Sequence, residues 1–159
     1  MTRSDWLQTL FPDHAARTLP WPAVEETVTL YRPTGLQELK LVAGSGWRLW
    51  PPRLPDQPLF YPVLNFEYAE KIARDWKAKR NDPPVGFVTA FEVRSDMATK
   101  YEIQVVGARE RHQELWVPAE DLEAFSDAIV GQIRVMAHYA GEGFTGRIDP
   151  ITHLPEGIP

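Results

Sequence analysis

Apolar and polar residues alternate with a period of two in several segments of this 159-residue chain. In TVTLYR (27–32), Val28, Leu30 and Arg32 fall on one face and β-branched residues are frequent, which is typical of a half-buried strand. LFYPVL (59–64) is a second candidate strand, although Pro62 favours an edge or bulged position. Further strands are predicted at 86–93, 101–106, 114–117 and 130–139. The second half of the chain is therefore expected to be rich in β-structure.

Helical periodicity is clearest in FEYAEKIARDWKAKR, which follows Asn65. Its apolar residues recur at i, i+3, i+4 and i+7, and Asn65 is a favourable N-cap. Shorter helices are predicted at 4–10, within 36–46 and at 118–129. Helices interspersed among these strands predict an α+β fold with one domain and a mixed or mostly antiparallel sheet. We expect an N-terminal helix and wrapping segment at 1–26, the α+β core at 27–139, and an extended or partly disordered tail at 140–159.

The segment WRLWPPRLPDQPLFYPVLN (47–65) interrupts this pattern with five prolines. Proline fixes φ and lacks an amide donor, so most of the segment cannot be a helix or a central strand. Its aromatic residues and its arginines, Arg48 and Arg53, make it unlike a solvated linker. It could form the wall of a site for a planar or anionic ligand, or a rigid cover over the core.

Composition narrows the possible functions. The net charge of −5 disfavours a protein that binds duplex nucleic acid, because phosphate neutralisation supplies most of that affinity. The chain has no cysteine, which excludes disulfides and thiolate ligands, and its four histidines lack metal-ligand spacing. No window approaches the roughly 18 consecutive apolar residues of a membrane helix. We expect a cytoplasmic protein without a membrane partner.

Candidate chemistry lies at strand ends. Arg32, before a proline, is suited to phosphate or carboxylate. Tyr61 and Tyr68 flank a strand-to-helix turn, and Glu114 opens a strand after the polar loop GARERHQ (107–113). Each residue also has a structural alternative. Arg32 could pair with a carboxylate, the tyrosines could pack in the core, and Glu114 could be a solvated charge.

The order of these strings resembles that of the ADP-ribosyltransferases. In that family the first strand carries an Arg or His that holds NAD, as Arg32 would in LYR. The middle strand and the next helix surround nicotinamide, as Tyr61 and Tyr68 would, and a catalytic Glu enters a late strand, as Glu114 would in ELWVP. The span 27–139 is also similar to short bacterial proteins labelled "ADP-ribosylation/crystallin J1".

This resemblance implies a mono-ADP-ribosyltransferase or an NAD glycohydrolase that uses NAD and needs no metal. Glu114 would stabilise positive charge on the ribose, and substrate contacts would come from the loop that precedes it. The chain departs from the family where FYPVL replaces a Ser-Thr-Ser string, and where His112 stands two residues before the Glu. The implied NAD-binding residues are Arg32, Tyr61, Tyr68, Arg48 and Arg53, and the implied substrate-loop residues are Arg109 and His112.

A different class of function also fits the sequence, namely a non-catalytic domain on the same scaffold that binds a protein partner as an accessory or neutralising factor. Trp47 and Trp50 would then belong to its contact surface, since Trp dominates many interface hot spots. The two interpretations differ in a geometric requirement. The enzyme needs Arg32, Tyr61 or Tyr68, and Glu114 to face one open cleft.

Overall fold

The structure, a computed structural model, describes residues 17–107 and 109–159. The helix expected at 4–10 lies outside the described residues. Within them, the strands are β1 (Arg17–Leu19), β2 (Thr27–Thr34), β3 (Leu59–Phe60), β4 (Val85–Arg94), β5 (Ile103–Val105), β6 (Gln113–Leu115), β7 (Val117–Pro118) and β8 (Ile129–Ala140).

Four helical segments accompany these strands in the described part of the chain. α1 spans Leu36–Gly44, and α3 spans Ser95–Ala98. α2 begins as an α-helix at Phe66–Ile72, continues as a π-helical turn at Ala73–Lys77, and ends at Ala78–Arg80. α4 spans Leu122–Asp127 and follows a 3₁₀ turn at Ala119–Asp121.

The strands pair antiparallel in the orders β2–β4–β8, β1–β5–β6 and β3–β7. Val63 joins the two larger sheets, because it forms an antiparallel bridge with Tyr31 of β2 on one side and with Glu114 of β6 on the other. The prediction of an α+β fold with a mostly antiparallel sheet is therefore confirmed.

The central sheet has a core on each face. On one face Leu30 and Phe91 pack with Leu115 and Phe125, and α1 adds Leu39 against Phe87. The other face is covered by α2, whose Ile72, Ala73 and Trp76 pack on Val63 and Val88. Because successive side chains of β2 and β4 point to opposite faces of the sheet, these strands contribute residues to both cores.

Gly86 in β4 allows α2 to lie unusually close to the sheet. A Cβ atom at this position would overlap the carbonyl oxygen of Ala73 and lie 2.8 Å from Cβ of Lys77. The π-helical turn of α2 therefore rests directly on the backbone of β4. This contact fixes where the Lys77 side chain leaves the helix.

Several boundaries differ from those that the pattern predicts. The strand expected at 59–64 is reduced to β3 and the Val63 bridge, because Pro58 and Pro62 cannot donate to a ladder. The helix expected at 118–129 becomes regular only from Leu122. β1 lies in the segment expected to wrap the surface, and α3 was not predicted.

The tail beyond β8 packs on the face covered by α1. Phe144, Ile148 and Ile158 contact the cluster around Leu39 and Phe87, and an isolated bridge links Ile148 to Pro155. The tail has little regular secondary structure, yet it contributes to the core. Across the described ranges, no helix combines the length and the apolar character needed to cross a membrane.

Candidate functional site

Arg32 lies at the end of β2 in a buried ion pair. Its Nε and Nη2 donate to the Glu38 carboxylate over 2.6 and 2.8 Å, a bidentate arrangement between a strand end and the first turn of α1. Burial opposes both charges, but the attraction between the partners and their hydrogen bonds outweigh it. The pKa of Glu38 is therefore lowered and that of Arg32 is raised.

Aromatic rings and a second arginine complete this buried cluster. The Arg32 guanidinium lies 4.6 Å from the Phe60 ring centre and 5.7 Å from that of Tyr61. Arg53 donates from Nε to the Leu59 carbonyl over 2.9 Å, and its Nη1 lies 3.9 Å from Glu38. The structure thus brings together Arg32, Arg53 and Tyr61, all predicted site residues, whereas Arg48 is exposed on the neighbouring loop.

Glu114 is completely buried and has donors on both oxygens. Tyr68 Oη donates to Oε2 over 3.1 Å, and Trp116 Nε1 donates to Oε1 over 2.6 Å. The Tyr68 ring is itself buried and stacks on His112 with ring centres 4.6 Å apart. Glu114 is therefore a buried, hydrogen-bonded carboxylate and not the solvated charge that the sequence also allowed.

Arg32 and Glu114 lie on opposite faces of the sheet. Residues that oppose one another on neighbouring strands share a face, so Tyr31, Val63 and Glu114 point the same way. Arg32 follows Tyr31 along β2 and points to the other side, where it meets α1. The structure does not bring these two predicted residues into one cleft.

An open cleft of about 410 Å³ lies between α2 and residues 109–112. Tyr68 and His112 form part of its lining, and four cations line its sides: Lys71, Arg74, Arg109 and Arg111. It therefore collects three predicted site residues, Tyr68, Arg109 and His112.

The acidic residues of this cleft are engaged with partners. Glu67 binds Arg111 over 2.9 Å, and Glu110 lies 3.8 Å from Arg17. Glu70 accepts a hydrogen bond from Tyr139 and pairs with Arg74. Among the cations of the lining, Lys71 pairs with Asp75 over 3.9 Å, and Arg109 has no ion pair with any described residue.

His112 lies in the wall of the cleft near two of its cations. Burial and the positive charges of Lys71 and Arg109 lower the pKa of His112 to about 4. The imidazole is therefore neutral at pH 7, and the positive potential at this point would favour an anion. Among the described residues, no group of three or more His, Asp or Glu side chains is arranged to hold a metal ion.

The tryptophans of the proline-rich segment serve the core. Trp50 packs between Phe60 and Phe91, with ring centres 5.4 and 5.2 Å away, and Trp47 donates from Nε1 to the Pro159 carbonyl over 3.3 Å. The segment is thus a cover over the core with Trp50 beneath it, while Leu49 and Leu54 are exposed on its outer side.

Sequence reasoning missed three residues that the structure places in these clusters, namely Glu38, Lys71 and Lys77. Glu38 had a detectable signal, since it lies in the first turn of the helix that follows Arg32. The placement of Lys77 near Arg32 had no detectable signal in the sequence, because it depends on the π-helical turn and on the close contact with Gly86. No protein-family model, curated protein or solved structure matches the chain significantly.

Proposed function

We propose that this protein is a binding domain for a small phosphate-bearing ligand, which it holds in the cleft between α2 and residues 109–112. The observation that carries the proposal is the set of four cations in the lining of the cleft, Lys71, Arg74, Arg109 and Arg111, inside a protein whose net charge is −5. The cleft volume of about 410 Å³ is within the usual range for small-molecule sites. ADP-ribose and NAD belong to the proposed ligand class.

Binding without turnover is favoured by the surroundings of Glu114. An enzyme that cleaves the nicotinamide–ribose bond needs its carboxylate in contact with the ribose. Here both carboxylate oxygens bind protein donors, and Tyr68 separates Glu114 from the cleft. The site is therefore better suited to holding an anion than to stabilising a ribosyl cation.

Thermal-shift and calorimetric titration with ADP-ribose, NAD, inorganic phosphate and nicotinamide test the proposal. We expect the phosphate-bearing ligands to stabilise the protein by about 2.7 kcal/mol at a hundredfold excess over Kd, and nicotinamide alone to have no effect. Arg109→Ala should weaken binding at least tenfold. Arg94→Ala is the matched control, because Arg94 is exposed and pairs with Asp96. Equal affinity in both variants, or binding of nicotinamide alone, would contradict the proposal.

A second candidate is the mono-ADP-ribosyltransferase or NAD glycohydrolase activity. The bridge from Tyr31 through Val63 to Glu114 favours it, since it sets the three motif-bearing segments side by side. Because Arg32 lies on the other face of the sheet from Glu114, turnover would require the cations of the α2 cleft to hold the pyrophosphate in its place, and Tyr68 to swing away and uncover Glu114. The test is release of nicotinamide from NAD: activity that Glu114→Gln abolishes would support the enzyme, and no release by the wild type would refute it.

A further inference from the structure

Lys77 occupies an unusual position at the end of the π-helical turn in α2. Its Cβ rests against Gly86 of β4, so its side chain passes along the edge of the sheet toward Arg32. Such turns occur often at functional sites. Within residues 17–107 and 109–159, the Lys77 amine has neither a hydrogen bond nor an ion pair with a carboxylate within 4 Å.

A small cavity adjoins this side chain. It has a volume of about 20 Å³ and is lined by Arg32, Pro33, Tyr61, Val63, Ile72 and Lys77. About 10–15 Å³ is enough for one water molecule, so the space admits a group little larger than a water molecule and excludes a nucleotide or sugar. Any ligand of Lys77 inside it must be very small.

The charges around this cavity do not balance. Arg32 and Arg53 contribute two positive charges, and Glu38, which binds Arg32, contributes one negative charge. The cluster therefore keeps one excess positive charge even when Lys77 is neutral. A negative group at the end of the Lys77 side chain would neutralise it, whereas an ammonium there would add to the imbalance.

The amine is unusually ready to lose its proton. Burial is the main reason, and the nearby charges of Arg32 and Arg53 act in the same direction, while Glu38 opposes them. Together they lower the pKa of Lys77 to about 8. At about pH 7.5 the neutral fraction of such an amine is roughly two hundred times that of an ordinary lysine.

We propose that the Lys77 amine takes up carbon dioxide as a carbamate inside the cavity, stabilised by Arg32 in the cavity wall and by the charge of the nearby Arg53. The Nζ lone pair attacks the carbon of CO2 and forms an N–C bond, while one C=O π pair moves to oxygen. The proton displaced from nitrogen passes to solvent, and no oxidant or reductant is needed. The side chain changes from neutral to singly negative, which balances the charge of the cluster.

Carbon-13 NMR of the full-length protein in labelled bicarbonate tests this proposal. We expect two carbamate resonances in the wild type, one from the α-amino terminus, whose pKa is ordinarily close to 8, and one from Lys77. Lys77→Arg should remove one resonance and leave the other. Lys40→Arg, on the exposed side of α1, should retain both.

Loss of fold could also remove a resonance, so circular dichroism of each variant must match the wild type. Arg53→Gln supplies a second measurement that leaves Lys77 in place, and it should lower the occupancy of the Lys77 carbamate at least severalfold. The proposal is overturned if every wild-type resonance persists in Lys77→Arg, or if only the terminal carbamate forms.

Discussion

The Arg32–Glu38 pair shows how one buried charge can be mistaken for a ligand contact. A strand-end arginine before a proline has the geometry expected of a phosphate anchor. The structure instead gives its bidentate donors to a carboxylate six residues later, with only 6% of the Arg32 side chain exposed. Its primary role at this position is to hold β2 to α1.

Replacing Arg32 should therefore destabilise the fold. Arg32→Met leaves Glu38 without its bidentate partner, and breaking a buried pair costs about 3–5 kcal/mol. Since 22% of the Glu38 side chain remains exposed, we expect a value at the lower end, about 3 kcal/mol. Urea denaturation measures the free energy of unfolding. Arg94→Ala, which breaks an exposed ion pair, should change the free energy of unfolding by less than about 0.5 kcal/mol. If Arg32→Met cost no more than this control, Arg32 would not have a structural role.

Comparison of the helices and strands with the sequence pattern shows which parts of the fold are determined by local sequence. α2 was predicted from its 3.6-residue period and its N-cap, and Asn65 does accept a hydrogen bond from the Tyr68 amide over 2.9 Å. β2 and β4 likewise follow their patterns. These features depend on neighbours in sequence, so a single chain suffices to find them.

The candidate site was less predictable because it depends on pairing between distant segments. Alternation shows that Arg32 and Tyr31 lie on different faces, but not which of them shares a face with Glu114. The Val63 bridge determines this, and it joins residues more than thirty positions apart on either side. The contribution of Lys71 and Arg109 to one cleft likewise requires the placement of the 109–112 loop against α2.

At the scale of elements, a substitution of Gly86 tests how closely α2 packs on β4. Gly86→Ala places a methyl group against the Ala73 carbonyl, which α2 can relieve only by moving as a unit. Overpacking of this kind costs about 1–3 kcal/mol, and we expect about 2 kcal/mol or more in urea denaturation. Gly44→Ala is the matched control, since its Cβ would meet no atom within 4 Å and should be neutral or stabilising. A neutral Gly86→Ala would mean that α2 does not rest on this backbone.

At the scale of the whole molecule, the tail closes over the core that α1 and β4 share. Two histidines hold it there, since Nδ1 of His138 in β8 and Nδ1 of His153 in the tail are 2.8 Å apart. One nitrogen must carry the proton and the other must accept it. Double protonation would break this contact, so the attachment of the tail should depend on pH.

The direction of that dependence follows from the titration of His138. Burial and the charge of His153 lower the pKa of His138, while Asp149 lies near enough to His153 to attract its positive charge. A His whose pKa is lowered on folding stabilises the native state above its ordinary pKa, and that stability is lost as the pH falls through the lowered value. We therefore expect residues 144–158 to lose hydrogen-exchange protection, relative to β4, as the pH falls below the ordinary histidine pKa of about 6.5, after correction for intrinsic exchange. A variant that carries both His138→Gln and His153→Gln should lack this differential loss, and a tail that loosens equally in the variant would assign the effect to other groups.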